Sequence, residues 1–563
     1  MLQDSHQRLR HTFLLCGSVL TLCALLSAGR GSTASPTPCL EQVVGAEWVR
    51  IDWPTAAHDA QGLLSDLTAS ATSDLFTPQH NARAGQRLQS FTVKEGMLPL
   101  AHLGEAMAAI YPGVSAVPVP VLAPVNTAKF LTDAINAGQD EQQARQASLA
   151  ASVETIQFLP GISGFDALLT VSAKVLADLD VAVVYRPQVH IAGTALSYGG
   201  DNRGDPVPEL QDLYPDVRSL LGADEVTYTF RKYGVLYFAN LGCLRNSRQP
   251  GTLTCEQAGA IVRVMLRDLR LIGGGPLEIK QRAAAVVPRP GKVSATFKYH
   301  PPGKLLKGTS QGGGEEGDTS CKLHSAGYLG FPIRLQPVYA NSQVFMHSGD
   351  CQTQKEDVGD RPDDKFDRYR CTQNGSKELL DLEGHAENYA YPWRDNYCEA
   401  RLGAPANSAP GCSNQTKSGH AGQDLRPNRC IPARKKGARC RIDAFEVVAV
   451  ADGKAWWKTE PYENHMRLMM DGGTDKIYFM YLHMSPGALW NAGMERGRAI
   501  AVKKDQVIGL VGNFDKTLVG GTSTHLHFEI RHGDNVGPPV SPYWTLVRAY
   551  ELRIKARGKE ITD

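Results

Sequence analysis

The sequence lacks a C-x-x-C pair, and from about Cys39 to Pro290 it lacks a nucleotide-binding phosphate loop, a catalytic-triad signature and any convincing internal repeat. The first absence argues against thiolate-ligated zinc, and the next two against nucleotide-dependent and triad-based chemistry. Charge imbalance is also missing. The 60 Lys and Arg stand against 58 Asp and Glu, a balance that gives no electrostatic basis for binding nucleic acid. Beyond Ala28 no run is apolar enough to cross a bilayer, so no transmembrane span is expected in the mature chain. What is left is a chain of 563 residues and 42% hydrophobic content, globular in composition and too long for one ordinary core.

Arg8, Arg10 and His11 precede the apolar run Thr12 to Ala28, and the small residues Ser32-Thr33-Ala34 follow it. This is the pattern of a secretory signal peptide, assigned to residues 1–34. An uncleaved membrane anchor is the rival, and the run falls slightly short of the roughly 20 residues a spanning helix needs. Either way the protein is expected to be exported, to the periplasm, the cell envelope or the medium. Cysteine usage agrees. Of 12 Cys, Cys16 and Cys23 lie in the signal segment outside any lipoprotein box, and the even remainder suits disulfides. Cys243 and Cys255 bracket a loop rich in Arg, Pro and Gly and are expected to pair. Cys430 and Cys440, around a basic loop, are a second candidate pair.

Residues 35–287 read as an N-terminal α+β domain whose type and function stay unassigned. Thr127 to Gln157 predicts one or two helices after Asn126. Val181 to Tyr185 and Gln188 to Ala192 predict strands, and Val226 to Leu241 two strands turning at Gly234. Thr254-Cys255-Glu256-Gln257 is a capping box opening a helix to about Leu271. Residues 288–320, with Gln311-Gly312-Gly313-Gly314, read as a flexible linker. Such a linker would let the first domain regulate the second intramolecularly, by covering its site.

Residues 321–555 form the second unit, with a Cys-rich lead-in over 321–414 and a core over 415–550. The lead-in carries an aromatic run, Asn388 to Tyr397, suited either to stacking on glycan or peptide or to a buried core. In the core, Phe445 to Ala451 and Lys454 to Trp457 flank the turn signal Asp452-Gly453. Met466 to Met470 and Ile477 to His483 flank Asp471-Gly472-Gly473, and Val507 to Gly512 follows. The expectation is a mainly antiparallel β domain with a concave, metal-binding sheet.

Three patterns in that core point to chemistry. His420-Ala421-Gly422-Gln423-Asp424 spaces a His and an Asp four apart. Tyr481-Leu482-His483 ends a strand, and His525-Leu526-His527-Phe528-Glu529 alternates two histidines. In a strand, residues i and i+2 share a face, so His525 and His527 would enter one site about 6–7 Å apart. Two imidazoles and a carboxylate form a common catalytic zinc set with a fourth position left for water. His385, His465 and His532 match no motif and are read as ordinary residues.

In these motifs, taken in order, the chain resembles the lysostaphin/LytM-type zinc metallopeptidases of bacterial cell walls over its C-terminal part only. The resemblance implies one Zn2+ per catalytic domain, held by His420, Asp424 and His527, with His525 and His483 as the catalytic histidines. It implies peptidoglycan as substrate and partner, cut in stem peptides or cross-links. His525 as general base and His483 as donor to the oxyanion are interchangeable assignments. Glu529 is read as a supporting residue. The chain departs from the family at Thr524, in the length of the 512–524 loop, and in the 428–441 insertion after Asp424. The alternative is a non-catalytic wall-binding protein or an activator of cell-wall amidases in division.

Overall fold

Two antiparallel sheets lie face to face, and the strand alternation of each decides what the interface between them contains. The computed structural model describes residues 42–43, 47–70, 98–126, 149–197, 204–221, 225–243, 251–276, 322–323, 329–340, 351–357, 365–372, 379–380, 391–397, 420–427, 445–458, 466–470, 477–514, 524–532 and 539–556, apart from positions 109, 184, 335, 336, 392, 394 and 395. The expected signal segment, the linker at 288–320 and the Cys430–Cys440 pair lie outside these residues. The residues from Glu41 onward form one compact unit. No helix among the described residues is long and apolar enough to cross a membrane.

The first sheet has seven strands: β1 (Val153–Pro160), β2 (Gly164–Val171), β3 (Gln188–Thr194), β4 (Asp205–Pro206), β5 (Arg218–Leu221), β6 (Glu225–Lys232) and β7 (Val235–Gly242). Their order is β1-β2-β3-β7-β6-β5-β4. Strands β6 and β7 are the expected hairpin, paired from Glu225↔Gly242 to Lys232↔Val235. Tyr233 and Gly234 turn it with φ of 55° and 76°, the two positive values a two-residue hairpin turn needs. One face, with Phe165, Ile191, Tyr228, Phe230 and Tyr237, packs into the N-terminal core. The helix Cys255–Arg267 covers that face through Ile261, Val262 and Met265. Its capping box is formed as expected: the Thr254 hydroxyl accepts from the Gln257 N–H, and the Gln257 side chain accepts from the Thr254 N–H. The Cys243–Cys255 disulfide is also formed.

Three N-terminal expectations fail. Residues 153–157, expected to be helical, open strand β1, because the chain from Val153 pairs along Val171 to Phe165 of β2. Hairpin pairing with β2 overrides the helical preference of Glu154 and Gln157. Around Val183 there is only an isolated bridge to Gly251 rather than a strand. The capped helix stops at Arg267, and Leu269–Gly273 turns into a strand against Val121–Pro124.

The second sheet has eight strands: β8 (Val338–Ala340), β9 (Gln423–Pro427), β10 (Gly453–Trp457), β11 (Met466–Met470), β12 (Ile477–Leu482), β13 (Ala499–Val502), β14 (Leu526–His532) and β15 (Pro539–Val540). They run in the order β8-β9-β14-β12-β11-β10-β13, with β15 beside β14. The expected hairpin across Asp452-Gly453 does not form. Glu446–Val448 pairs with Val507–Leu510 in a separate ribbon, while β10 pairs with β11 and β13. Asp452 instead accepts from the Lys504 N–H, at 2.9 Å, and from the Lys503 ammonium, at 3.1 Å.

On one face of this sheet Phe479, Tyr481, Phe528 and Ile530 build the core with the helix Tyr543–Ile554. The aromatic run resolves in favour of core. Tyr391, Trp393 and Tyr397 are all buried, and Trp393 stacks near Phe331 and Tyr550 and donates from Nε1 to the Val338 carbonyl at 2.8 Å. The opposite face meets the first sheet. Leu159, Leu168, Ala192 and Phe238 close on Trp456 and Tyr478. Gln157 makes paired hydrogen bonds to the main chain of Ala499. The fully buried Trp456 is therefore shared by both sheets. Trp456→Ala is expected to lower stability by about 3–5 kcal/mol in denaturant unfolding; a change under about 1 kcal/mol would mean the two sheets are not packed in solution.

Candidate metal centre

Strand periodicity aims the site. On β14 the alternation that sends Phe528 and Ile530 into the core sends His527, Glu529 and Arg531 to the other face. Strand β9 lies antiparallel alongside, with Asp424 directly opposite His527. His420 precedes β9, and Gly422 between them passes so close to β14 that a Cβ there would stand 2.3 Å from the Phe528 carbonyl oxygen. This contact gives a physical reason for the glycine in the middle of the H-x-x-x-D pattern. His483 follows β12, whose last residue Leu482 is opposite His527. It takes a left-handed backbone, φ 67°, which is uncommon outside glycine and turns the chain out of the strand.

All five histidine and aspartate positions expected from the sequence come together. His420 Nε2 lies 2.9 Å from Asp424 Oδ1 and 2.8 Å from His527 Nδ1, and His527 Nδ1 lies 2.9 Å from the same carboxylate oxygen. His525 Nε2 stands 3.4 Å from Asp424 Oδ1. The His483 ring centroid is 4.7 Å from that of His525 and 6.0 Å from that of His527. Among the described residues, the group of His, Cys, Asp and Glu side chains with metal-ligand spacing is His420, Asp424 and His527, all buried.

The outer hydrogen bonds decide what the inner atoms are. His420 Nδ1 is 2.6 Å from the Asn396 carbonyl, which can only accept, so Nδ1 carries the proton and Nε2 presents a lone pair. His527 Nε2 is 2.9 Å from Glu529 Oε1, so it donates there and Nδ1 faces inward as an acceptor. Burial opposes charge on Glu529, but Arg531 and His527 hold its carboxyl at about 2, so it is an acceptor throughout. Burial likewise opposes charge on Asp424, and His420 and His525 keep it ionised, well below the usual carboxylate range. Three acceptors thus converge within hydrogen-bond distance with no fixed donor among them, an arrangement that needs a proton or a cation. In the metal-free protein the proton falls to His527. Burial works against its charge, yet hydrogen bonds to Asp424 and Glu529 lift its pKa to about 9. Two imidazoles whose far nitrogens are tied to oxygen acceptors, plus a buried carboxylate, are a fitting set for zinc.

His483 differs. Its Nδ1 lies 2.5 Å from the Phe514 carbonyl, so that nitrogen donates and Nε2 keeps a lone pair. Burial first, then the charges of His525 and His527, hold its pKa well below the usual 6.5, so it stays neutral.

No family model and no curated protein matches this chain. Among solved structures it is similar to the catalytic domain of a mutant of the prophage-encoded M23 protein EnpA from Enterococcus faecalis. That match has 20% identity and a TM-score of 0.16, and covers 25% of this chain and 93% of that one.

Two contributors escape sequence reading. Asn396, inside the aromatic run, holds His420 through its carbonyl and the Asp424 N–H through its side chain at 3.3 Å. Nothing in its neighbourhood marks it, since the link spans 24 and 28 residues of chain. Phe514 acts through its main chain alone, which no side-chain pattern reveals. Glu529, expected as a supporting residue, contacts His527 directly.

Proposed function

We propose that this chain is an exported zinc metallopeptidase that hydrolyses peptide bonds of peptidoglycan, in stem peptides or their cross-links. One observation carries the metal half of the reading: His420 Nε2, Asp424 Oδ1 and His527 Nδ1 converge as acceptors because Asn396 and Glu529 occupy the far nitrogens of both rings. These three residues would hold the ion. Zinc bound there supplies Lewis-acid charge that acidifies water and polarises a scissile carbonyl. The substrate half rests on the order of the H-x-x-x-D, Y-x-H and H-x-H-F-E motifs, and export rests on the N-terminal segment.

The two remaining histidines divide the proton work. Of the interchangeable assignments, the hydrogen bonding favours His483 as base: neutral, with Nδ1 donating to Phe514, it offers the Nε2 lone pair to the proton of attacking water. His525 then serves as donor to the oxyanion of the tetrahedral intermediate, and His483 passes the proton it took from water to the leaving amine. Asp424 and Glu529 stay ionised and hold the rings in place.

The test is release of soluble muropeptides from purified sacculi by the zinc-loaded protein beside His420→Ala. Release by the wild type alone is expected, and the new termini name the bond. Equal release by both proteins, or none from a protein that binds zinc stoichiometrically, would overturn the peptidase reading. A wild type that binds no zinc leaves the non-catalytic amidase-activator reading in its place.

A further inference from the structure

Resting on the metal centre proposed above, we infer that the first sheet supplies a positioning residue for it, Glu225. The alternation of β6 puts Tyr228 and Phe230 toward the N-terminal core, so Glu225, Thr227 and Thr229 point the other way, toward the second sheet. There Glu225 Oε1 accepts from Arg531, with NH1 2.5 Å away, across a separation of 306 residues. Arg531 donates from Nε to Glu529 Oε2 at 2.8 Å, with Nη2 also 2.8 Å from that oxygen. Glu529 turns its other oxygen, Oε1, to His527 Nε2 at 2.9 Å. Three consecutive hydrogen bonds therefore run from a residue of the first sheet to a metal-ligating imidazole of the second.

Every member is buried: Glu225 at 3% exposure, Arg531 at 8%, Glu529 at 4% and His527 at 6%. Burial matters because charge-assisted hydrogen bonds in a low dielectric are strong and directional. A guanidinium is planar, so carboxylates on two of its edges fix its rotation as well as its position. With Glu225 in place, Arg531 holds Glu529 at one angle, and Glu529 in turn sets which nitrogen of His527 faces Asp424. Glu225 is not one of the three converging acceptors. It acts through Arg531 and Glu529. Lys458, whose ammonium lies 3.1 Å from Glu225 Oε2, shares the same carboxylate but is off the path to His527.

The consequence concerns the role of the N-terminal region. A domain that merely covered the groove would leave metal affinity unchanged or improved when its contacts weaken. A domain that completes the outer shell of a ligand makes affinity fall. Outer-shell partners of metal-bound histidines typically matter by 10–100-fold in affinity, and Glu225 stands one link further out, at the lower end of that range.

The experiment uses the full chain as wild type, Glu225→Gln, Glu225→Ala and Gln157→Ala. Zinc affinity is read by chelator competition, and ligand geometry by the visible spectrum of the Co2+-substituted protein. Glu225→Gln, which keeps the shape and removes the charge, is expected to weaken zinc about tenfold and shift the cobalt spectrum. Gln157→Ala, which loosens the contact between the two sheets at Ala499 and leaves the Glu225 carboxylate with both its partners, is expected to keep wild-type values. Wild-type affinity and spectra in both Glu225 variants would overturn the inference, as would an equal loss in Gln157→Ala. Should Glu225→Ala fail to fold, the isosteric Gln variant decides alone. A wild type that binds no zinc would instead sink the metal-centre reading itself, so the two failures are told apart by the control.

Discussion

Zinc affinity is expected to rise about tenfold for each pH unit between 6.5 and 9 and to level off above 9. The reason lies in the single proton shared by the converging acceptors. Burial disfavours charge on His527, but hydrogen bonds to Asp424 and Glu529 outweigh it and raise the pKa from 6.5 to about 9 in the metal-free protein. Zinc takes the same lone pair at Nδ1, so below pH 9 each ion bound must displace one proton, and each pH unit changes the apparent constant tenfold. Stability of the metal-free protein follows with a definite sign. The pKa of His527 is higher folded than unfolded, so its contribution is full below pH 6.5 and is lost as pH rises through about 9. The carboxyl of Glu529 drops from 4.5 to about 2, so its contribution is full above pH 4.5 and is lost as pH falls toward 2. Buried His483, whose pKa lies well below 6.5 when folded, adds a loss of stability as pH falls below 6.5, so metal-free protein should be most stable near pH 6.5, and zinc should abolish the decline on the alkaline side by replacing the proton. Chelator competition and denaturant titration across pH 4 to 10 read both effects. An affinity independent of pH from 6.5 to 9 would mean the proton is not at the metal position.

How much of this was legible in the sequence depends on the range over which each feature is determined. The β6–β7 hairpin, the capping box at Thr254 and the Cys243–Cys255 pair are set by neighbours in the chain, and all were readable. Features decided by distant partners were not. Leu269–Leu271 reads as the continuation of the capped helix yet pairs with the strand Val121–Pro124, and Glu446–Val448 looks like half of a hairpin with β10 yet pairs with Val507–Leu510. The site follows the same rule. His420, Asp424, His483, His525 and His527 sit at telling local spacings and converge as those spacings imply. The residues that orient them reach in from elsewhere: Asn396 from the aromatic run, Phe514 through its carbonyl, and Glu225 from the other sheet. Local pattern therefore names the residues that converge, whereas their tautomers and angles are decided by tertiary contacts no spacing reveals.

The second large effect is expected at a residue with no side chain. Gly422→Ala should abolish measurable zinc binding and lower stability by about 1–3 kcal/mol, although Gly422 neither ligates metal nor titrates. Its missing Cβ would sit 2.3 Å from the Phe528 carbonyl oxygen, 2.9 Å from Glu529 Cγ and 2.9 Å from His527 Nε2. The first of these is backbone in the middle of a strand paired on both sides and cannot move away cheaply. Strand β9 would have to lift off β14, and the Asp424↔His527 register pair that brings carboxylate and imidazole within 2.9 Å would separate. The methyl group would also press on the two side chains whose hydrogen bond orients His527. Ala421→Gly, one position away, is the control: it removes a methyl group rather than adding one, and should cost under about 1 kcal/mol with zinc still bound. Isothermal titration with zinc and denaturant unfolding of the two variants separate the cases. If Gly422→Ala bound zinc like the wild type, β9 and β14 could not be as close in solution as the register requires, and the convergence of His420, Asp424 and His527 would lose its structural basis.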